Sequence, residues 1–182
     1  MVLLLSNSVA INDGPDRIGH LIIQTQFDDP VKHDNVALAR STLSFDLGAY
    51  DRIEQEFKVE RNDKIVTAQK PPDSYIGKYY NKMKTFYIEV SATNNYKLWM
   101  NLQGNDGENY RLKHQNRDVF SWHMTRNEQV KRGMNSITYM EYWKIRFDFG
   151  GHGTAQRIFW VIEKDLPGEG MELVKEMATG KS

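Results

Sequence analysis

The chain has 182 residues, with 24 basic and 24 acidic side chains and no cysteine. The balanced charge argues against binding nucleic acid through a domain-wide basic surface. The absence of cysteine excludes disulfides, thiolate metal sites and cysteine nucleophiles. Because 182 residues suit one domain and 40% of them are hydrophobic, we expect residues 1–182 to form a single domain with a real core.

The chain begins with a short apolar segment, Met1–Asn7. It lacks a basic region and is shorter than the apolar part of a secretion signal, so we interpret it as an edge or docking strand. No apolar run approaches the roughly 20 residues of a membrane helix. The sequence therefore predicts no membrane span and synthesis in the cytoplasm. It leaves the final compartment open, including incorporation into a particle.

Turn sequences recur at short spacing, separated by segments rich in Ile, Val, Tyr, Phe and Thr. This rhythm is typical of an all-β domain. The apolar residues of 50–60 fit both helical spacing and strand alternation, and we favour a strand because Arg61-Asn62-Asp63 can turn into the next one. The early strands are then predicted at 18–27, 36–47, 53–60 and 64–69.

The middle of the chain, 84–126, predicts a four-stranded antiparallel meander. Its even-numbered positions are almost all apolar and fall on one face, because side chains alternate along a strand. The expected pairs across successive strands are Val90 with Leu98, Leu102 with Tyr110, and Leu112 with Trp122. One consistent register thus places all the apolar residues of the meander inward.

The last third predicts a long hairpin at 136–165 followed by a short helix at about 170–178. The strand at 136–149 alternates cleanly, and fourteen residues would reach roughly 47 Å, which is longer than a compact domain of this size. Such a strand must bend between sheets or project as an arm. Together with the meander, these elements predict an antiparallel β-sandwich of jelly-roll type.

The outward, odd-numbered face of the meander is the candidate ligand-binding surface. An indole there can stack on a sugar while neighbouring polar groups bond its hydroxyls. The same face could instead be solvated, or be covered by a neighbour, with Trp99 as a cross-strand packing residue. The candidate ligand-binding residues are Trp99, Tyr87, Glu89, Asn101, Arg111, Lys113 and His123.

The sequence gives little support for a metal-binding or cofactor-binding motif. Asp46 with Glu56-Phe57-Lys58 matches only loosely the spacing of metal-dependent nucleases. The acidic segments 28–34 and 105–109 could hold a hard cation, but Asn-Asp-Gly is first of all a turn sequence. No histidine pair has zinc spacing. We therefore expect no cofactor, no metal and no catalytic residue.

Three functions remain as hypotheses. The first is a non-enzymatic assembly subunit of a virion, phage tail or similar particle, a homo-oligomer that acts through β-edge, arm and aromatic contacts. The second is a carbohydrate-binding, lectin-like module that uses the Trp99 face. The third is a metal-dependent nuclease or other hydrolase. The neutral charge and the leftover apolar segments favour the first, with neighbouring subunits or a glycan as partners.

Overall fold

The computed structural model describes six segments of the chain: 14–27, 33–62, 70–93, 95–134, 137–165 and 167–176. The chain divides into two compact units. The helical unit comprises Met1–Glu54 and Met124–Thr138, and the sheet unit comprises Gln55–His123 and Tyr139–Ser182. The strands predicted at 1–7 and 64–69 lie outside the described residues.

The helical unit is built from α1 (Gly14–Gln26), α2 (Asn35–Leu47), the start of α3 (Ala49–Asn62) and the short α4 (Arg126–Lys131). Asp34 begins α2 by accepting a hydrogen bond from the Ala37 N–H at 2.8 Å. Thr125 and Glu128 form a capping box that begins α4. These caps satisfy backbone N–H groups that have no partner within a helix.

The strands predicted at 18–27, 36–47 and 53–60 are therefore wrong, since all three segments are helical. In α3, Ile53 and Phe57 are buried while Val59 is 56% exposed. The helical spacing of the apolar residues thus prevails over their alternation.

The sheet unit contains one antiparallel sheet of nine strands in the order β4-β3-β2-β1-β9-β8-β7-β6-β5. The two outer strands, β4 and β5, are separated only by Leu112, whose N–H donates to the Leu98 carbonyl at 2.9 Å. One chain segment thus serves both edges, and the sheet is nearly closed. The strands are β1 (Gly77–Asn81), β2 (Tyr87–Ala92), β3 (Leu98–Leu102), β4 (Asn109–Arg111), β5 (Lys113–Asn116), β6 (Val119–Ser121), β7 (Lys144–Asp148), β8 (Arg157–Trp160) and β9 (Met171–Lys175).

An all-antiparallel β architecture is confirmed for most of the described chain, but the jelly-roll sandwich is not. Hydrogen bonds run through one sheet in which neighbouring strands are consecutive in the chain, except for β1 and β9. Of the hairpin predicted at 136–165, the antiparallel pairing of β7 with β8 is confirmed but the length is wrong, because residues Met140–Trp143 form a 3-10 turn and β7 has five residues. The predicted C-terminal helix is the strand β9, with Leu173 buried and Val174 exposed.

The inward direction of the meander's even-numbered side chains is confirmed. Ile88, Met100, Tyr110 and Phe120 are each at most 3% exposed. The register of the first two pairings differs from the prediction by two residues, since Val90 lies opposite Met100 and Met100 opposite Tyr110. A shift of two positions keeps every side chain on its face, so the pattern of burial survives.

The core of the sheet unit is dense in aromatic rings. Trp122 lies 4.8 Å from both Tyr110 and Trp143, measured between ring centroids. Tyr75 makes edge contacts with Phe120 and Phe147 at 5.0 and 4.9 Å. Aromatic side chains bury large areas and gain further from edge-to-face contacts, so this cluster is the main source of the unit's stability.

Candidate functional site

The outer face of β2, β3 and β4 carries two rows of side chains given by the strand register. Glu89, Asn101 and Asn109 lie opposite one another in the first row, and Ser91, Trp99 and Arg111 in the second. The structure therefore brings Trp99 next to Arg111 and Asn101 next to Glu89. Trp99 itself is half-buried.

Two polar atoms of this face are shielded from solvent without a hydrogen bond to any residue that the structure describes. They are Nε1 of Trp99 and Oδ1 of Asn101. Asn101 is anchored by its amide, which donates to the Asn105 carbonyl at 2.7 Å. A buried donor and a buried acceptor two residues apart on one strand, each without a partner among the described residues, are costly and therefore mark this part of the face as unusual.

The charged groups of the face differ in their pairing. The Lys78 ammonium on β1 lies 3.6 Å from the Glu89 carboxylate, which raises the pKa of Lys78. Lys113 donates to the His123 carbonyl at 3.4 Å. Arg111 is exposed beside Trp99. The face thus has cationic groups at the β4–β5 side and a compensated pair at the β1 side.

Tyr87 belongs to a separate part of the face. Its ring lies 5.2 Å from that of Tyr80 and 5.4 Å from the Lys78 ammonium. A Cβ atom at Gly104 would lie 2.5 Å from the Tyr87 hydroxyl, so only glycine lets the turn after β3 pass beside this ring. The predicted pairing of Val90 with Leu98 would place Tyr87 opposite Asn101, but the register is shifted by two residues and Glu89 lies there instead.

His123 is not part of the open face. It is 3% exposed, and its ring lies 5.1 Å from Trp143 and 6.1 Å from Phe57 of α3. Nearby, the Arg61 guanidinium donates to the His114 carbonyl at 3.0 Å and to Gln115 Oε1 at 3.1 Å. The C-terminal half of α3 therefore covers the β5–β6 end of the face, and this half was predicted as a strand.

The acidic segments do not assemble a cation site among the described residues. Within those residues there is no group of three or more His, Asp or Glu side chains that could hold a metal ion. In 105–109, the Asn105 side chain accepts from the Gly107 N–H at 3.0 Å and so stabilises a turn. Of 28–34, residues 28–32 lie outside the described chain, and Asp34 caps α2.

An apolar groove between α1 and α2 was missed by sequence reasoning. Its volume is about 310 Å³, and most of its lining is aliphatic, with two arginines at the sides. The i, i+3 and i+7 spacing of Val36, Ala39 and Leu43 is the signal that could have found it. The lining residues include Ile18, Leu21, Val36, Ala39, Leu43, Arg17 and Arg40.

Comparison with known proteins places the sheet unit in a family. No curated protein and no solved structure matches the chain significantly. Among the described residues, no helix is long and apolar enough to cross a bilayer. A family model described as "Domain of unknown function (DUF3471)" matches residues 60–175, which is more than half of the chain and contains every strand of the sheet. The chain therefore belongs to the DUF3471 family.

Proposed function

We propose that this protein is a non-enzymatic assembly subunit whose helical unit associates with a second copy of the chain. The observation that carries the proposal is the exposure of apolar side chains on α1 and α2. Ten large apolar residues between Ile18 and Leu47 are 37–75% exposed. Monomeric proteins rarely leave contiguous apolar surface of this kind in water, whereas association sites do.

The distribution of these residues on α2 rules out a simple two-helix solution. At about 100° per residue, Leu38 and Phe45 lie roughly opposite Val36 and Leu43. All four are between 37% and 56% exposed. A helix that is apolar on opposite sides is normally buried from both sides. One neighbouring helix, α1, can cover only one of them.

The side of α2 that carries Val36 and Leu43 also remains partly open, because it lines a groove between α1 and α2. Asn35 joins the two helices by donating to Gln24 Oε1 at 3.0 Å. Further along, Ile18 and Leu43 line a groove and remain 52% and 37% exposed. Each helix has 13 residues and is about 20 Å long, which is the scale of a small bundle. Two such hairpins can form four helices with a shared core.

A second copy is the occupant that the chain's charge favours. The 24 acidic and 24 basic side chains give no net repulsion between copies. The nearly closed sheet leaves only the short strands β4 and β5 as edges. The β-edge and arm contacts expected from sequence thus have less support than a contact through the helices.

Sizing chromatography with light scattering tests this proposal. We expect the protein at tens of micromolar to have at least twice the mass of the chain, and Leu38→Glu combined with Leu43→Glu to shift it to the monomer. Met83→Glu is the matched control, because Met83 is 77% exposed on the turn after β1 in the sheet unit. A well-folded wild-type protein that stays monomeric at 100 µM, on the order of the Kd of a weak specific complex, would contradict self-assembly.

A glycan-binding module is the second candidate, supported by the shielded, unbonded polar atoms of Trp99 and Asn101. A sugar ring would stack on the indole face of Trp99, while one of its hydroxyls would donate to Asn101 Oδ1. A glycan array tests it. Trp99→Ala and Asn101→Ala should abolish a signal that Tyr96→Asn retains, since Tyr96 is 76% exposed in the adjacent loop. A signal that all three variants retain would exclude this face.

A further inference from the structure

A cavity of about 930 Å³ lies on the outer face of β6 and β7 in the sheet unit. Val119 of β6 and Arg146 of β7 lie opposite each other in the strand register and both line it. The turn between β5 and β6 and the loop after β7 also line it, together with Glu60 of α3. Its volume is in the range of roughly 300–1,000 Å³ that is typical of small-molecule sites. The lining residues are 60, 115–119 and 146–151.

The three carboxylates that line the cavity each have a cationic partner. Paired carboxylates repel an anion far less than free ones do, because the charges of each pair nearly cancel at a distance. The acidic lining therefore does not prevent an anion from binding next to Arg146. The pairs are Glu60 with Lys144, Asp118 with Lys70 and Asp148 with Arg157.

Two arginines lie over the ring of Phe159, Arg146 at 4.4 Å from the ring centre and Arg157 at 5.6 Å. Arg157 donates from Nε and Nη2 to Asp148 and from Nη1 to Glu172. Carboxylates of two neighbouring strands, β7 and β9, thus fix Arg157. The ring face attracts a cation, so it also holds the guanidinium of Arg146, which lies opposite Phe159 in the register.

Arg146 has far fewer polar contacts than Arg157. Among the residues that the structure describes, its one carboxylate partner is Glu169, which lies 2.8 Å from Nη2. This contact is not aligned as a hydrogen bond, although Nη2 is shielded from water. A guanidinium has five N–H donors, and a shielded donor without a hydrogen bond is costly. Arg146 therefore has donors left for a ligand that fits them better.

Glu169 is poorly placed to keep this arginine occupied. Its side chain is 69% exposed, and it lies in the β8–β9 loop between Gly168 and Gly170, both with positive φ. An exposed ion pair contributes little to stability, because water screens it and the ordering of two side chains opposes it. A ligand carboxylate can therefore displace Glu169 at small cost.

We propose that this cavity binds a small carboxylic acid with an apolar body, and that its carboxylate replaces Glu169 on Arg146. Glu169 shows that a carboxylate reaches this guanidinium. A free ligand can form the two parallel hydrogen bonds that guanidinium and carboxylate prefer, whereas the Glu169 contact lacks this alignment. The apolar body would contact Val119 beside Arg146, with Phe147 and Phe149 further along the lining.

Amide NMR titration with sodium benzoate, at an ionic strength held constant with sodium chloride, tests the site. Benzamide is the matched ligand, because it keeps the ring and lacks the charge. We expect benzoate to bind with a Kd on the order of 1 mM and to shift the amides of 117–119 and 146–151. Benzamide should bind at least roughly tenfold more weakly. Equal affinity of the two ligands, or benzoate shifts elsewhere only, overturns the proposal.

Two variants should move the benzoate affinity in opposite directions. Arg146→Met keeps an aliphatic stem on Phe159 and should weaken binding by roughly tenfold or more. Glu169→Gln removes the competing carboxylate and should tighten it several-fold. The controls make the same changes of charge at exposed loop positions, Lys97→Met and Glu163→Gln, and should bind as the wild type does. If either site variant binds benzoate as its control does, the proposal is overturned.

Discussion

The helical unit and the sheet unit use apolar residues in opposite ways. In the sheet unit, Tyr79, Trp143 and Ile158 are each 0% exposed and their neighbours are mostly aromatic. In α1, no residue is buried at all. The sheet unit thus satisfies its own hydrophobic surface, while the helical hairpin leaves much of its own in water. The family match at 60–175 covers every strand of the sheet unit and, in the helical unit, the segment 124–138 with α4, but not α1 or α2.

This difference teaches where stability and association reside. Stability per residue should be high in the sheet and low in the helices, because two-turn to four-turn helices are marginal without packing of an apolar face. The same lack of packing is the reason why we propose α1 and α2 as the surface for a second copy.

The largest effect is expected from the aromatic core. Trp122→Ala should lower the free energy of unfolding by about 3–5 kcal/mol, because it removes a side chain that is 2% exposed and contacts four other rings. Leu38→Ala in α2 should cost less than about 1 kcal/mol, since Leu38 is 43% exposed and alanine favours helix. Urea unfolding followed by circular dichroism, at low protein concentration, measures both.

Trp122→Phe keeps this comparison informative if the alanine variant does not fold. It should cost less than Trp122→Ala and still more than Leu38→Ala. Comparable losses for Leu38→Ala and Trp122→Phe would mean that α2 is as tightly packed as the sheet. The contrast between the two units would then be lost.

The contrast also explains which features could be predicted from the sequence. The inward face of 84–126 was predicted because apolar residues alternate strictly over several strands, which fixes the face that each residue occupies. The helix α2 was missed because its apolar residues lie on opposite sides and leave no polar face to reveal its period, whereas α3 was missed because its apolar residues fit helical spacing and strand alternation alike. The strand β9 was missed because Met171 and Val174 also fit helical spacing, and only Leu173, buried by β8, decides between the two.

The candidate site was predicted in part for the same reason. Side chains alternate between the two faces along a strand, so odd-numbered residues of this part of the chain point outward whatever the register. This places four of the candidate residues on the outer face: Trp99, Glu89, Asn101 and Arg111. Which of them are neighbours depends on the length of the loop after β2. The expected pair of Val90 with Leu98 would leave three residues between the strands, whereas Ala92 pairs with Leu98 in the structure and leaves five. His123 is buried partly by α3, and the alternation of residues within the meander carries no information about a helix that packs on it.

The next effect concerns the backbone where β8 and β9 approach. Gly170 has a φ of 94°, and a Cβ atom there would lie 2.6 Å from the Trp160 carbonyl carbon and 2.8 Å from the Val161 nitrogen. Gly170→Ala should cost about 2 kcal/mol or more, from left-handed strain and a clash with rigid backbone. Thermal unfolding of the purified variant measures it.

Gly151→Ala is the matched control for backbone strain alone. Gly151 has a φ of 83°, but a Cβ atom there would have nothing within 4 Å. Its cost should stay near 1 kcal/mol. If the two variants lose the same stability, the close approach of β9 to β8 contributes nothing.

Alkaline pH should weaken the sheet unit before the helical unit. Burial raises the pKa of Tyr79 and of Tyr75, and the Asp118 carboxylate adds to the effect on Tyr75. A raised pKa in the folded state means that the stability is fully present below pH 10, the unfolded value, and is lost as pH rises above it. The loss is up to about 1.4 kcal/mol per pH unit for each hydroxyl.

Ultraviolet titration of the tyrosinates tests this expectation. Tyr79→Phe, which keeps the ring and loses only a hydroxyl that donates to the Tyr75 carbonyl at 2.6 Å, should flatten the stability curve above pH 10. All nine tyrosines ionising together near pH 10, with the fold intact, would be the contrary result.

The smallest effect should come from the cap of α4 in the helical unit. Thr125→Ala removes the hydroxyl that accepts from the Glu128 N–H at 3.3 Å, and caps of this kind are worth about 1 kcal/mol. Thr125→Ser keeps the acceptor and is the control. Hydrogen exchange should quicken in Arg126–Lys131 and stay unchanged in β2 and β7, because a weakly packed unit opens without its neighbour. Uniform quickening across the sheet would show that the two units unfold as one, and the low stability assigned to the helices would then belong to the whole chain.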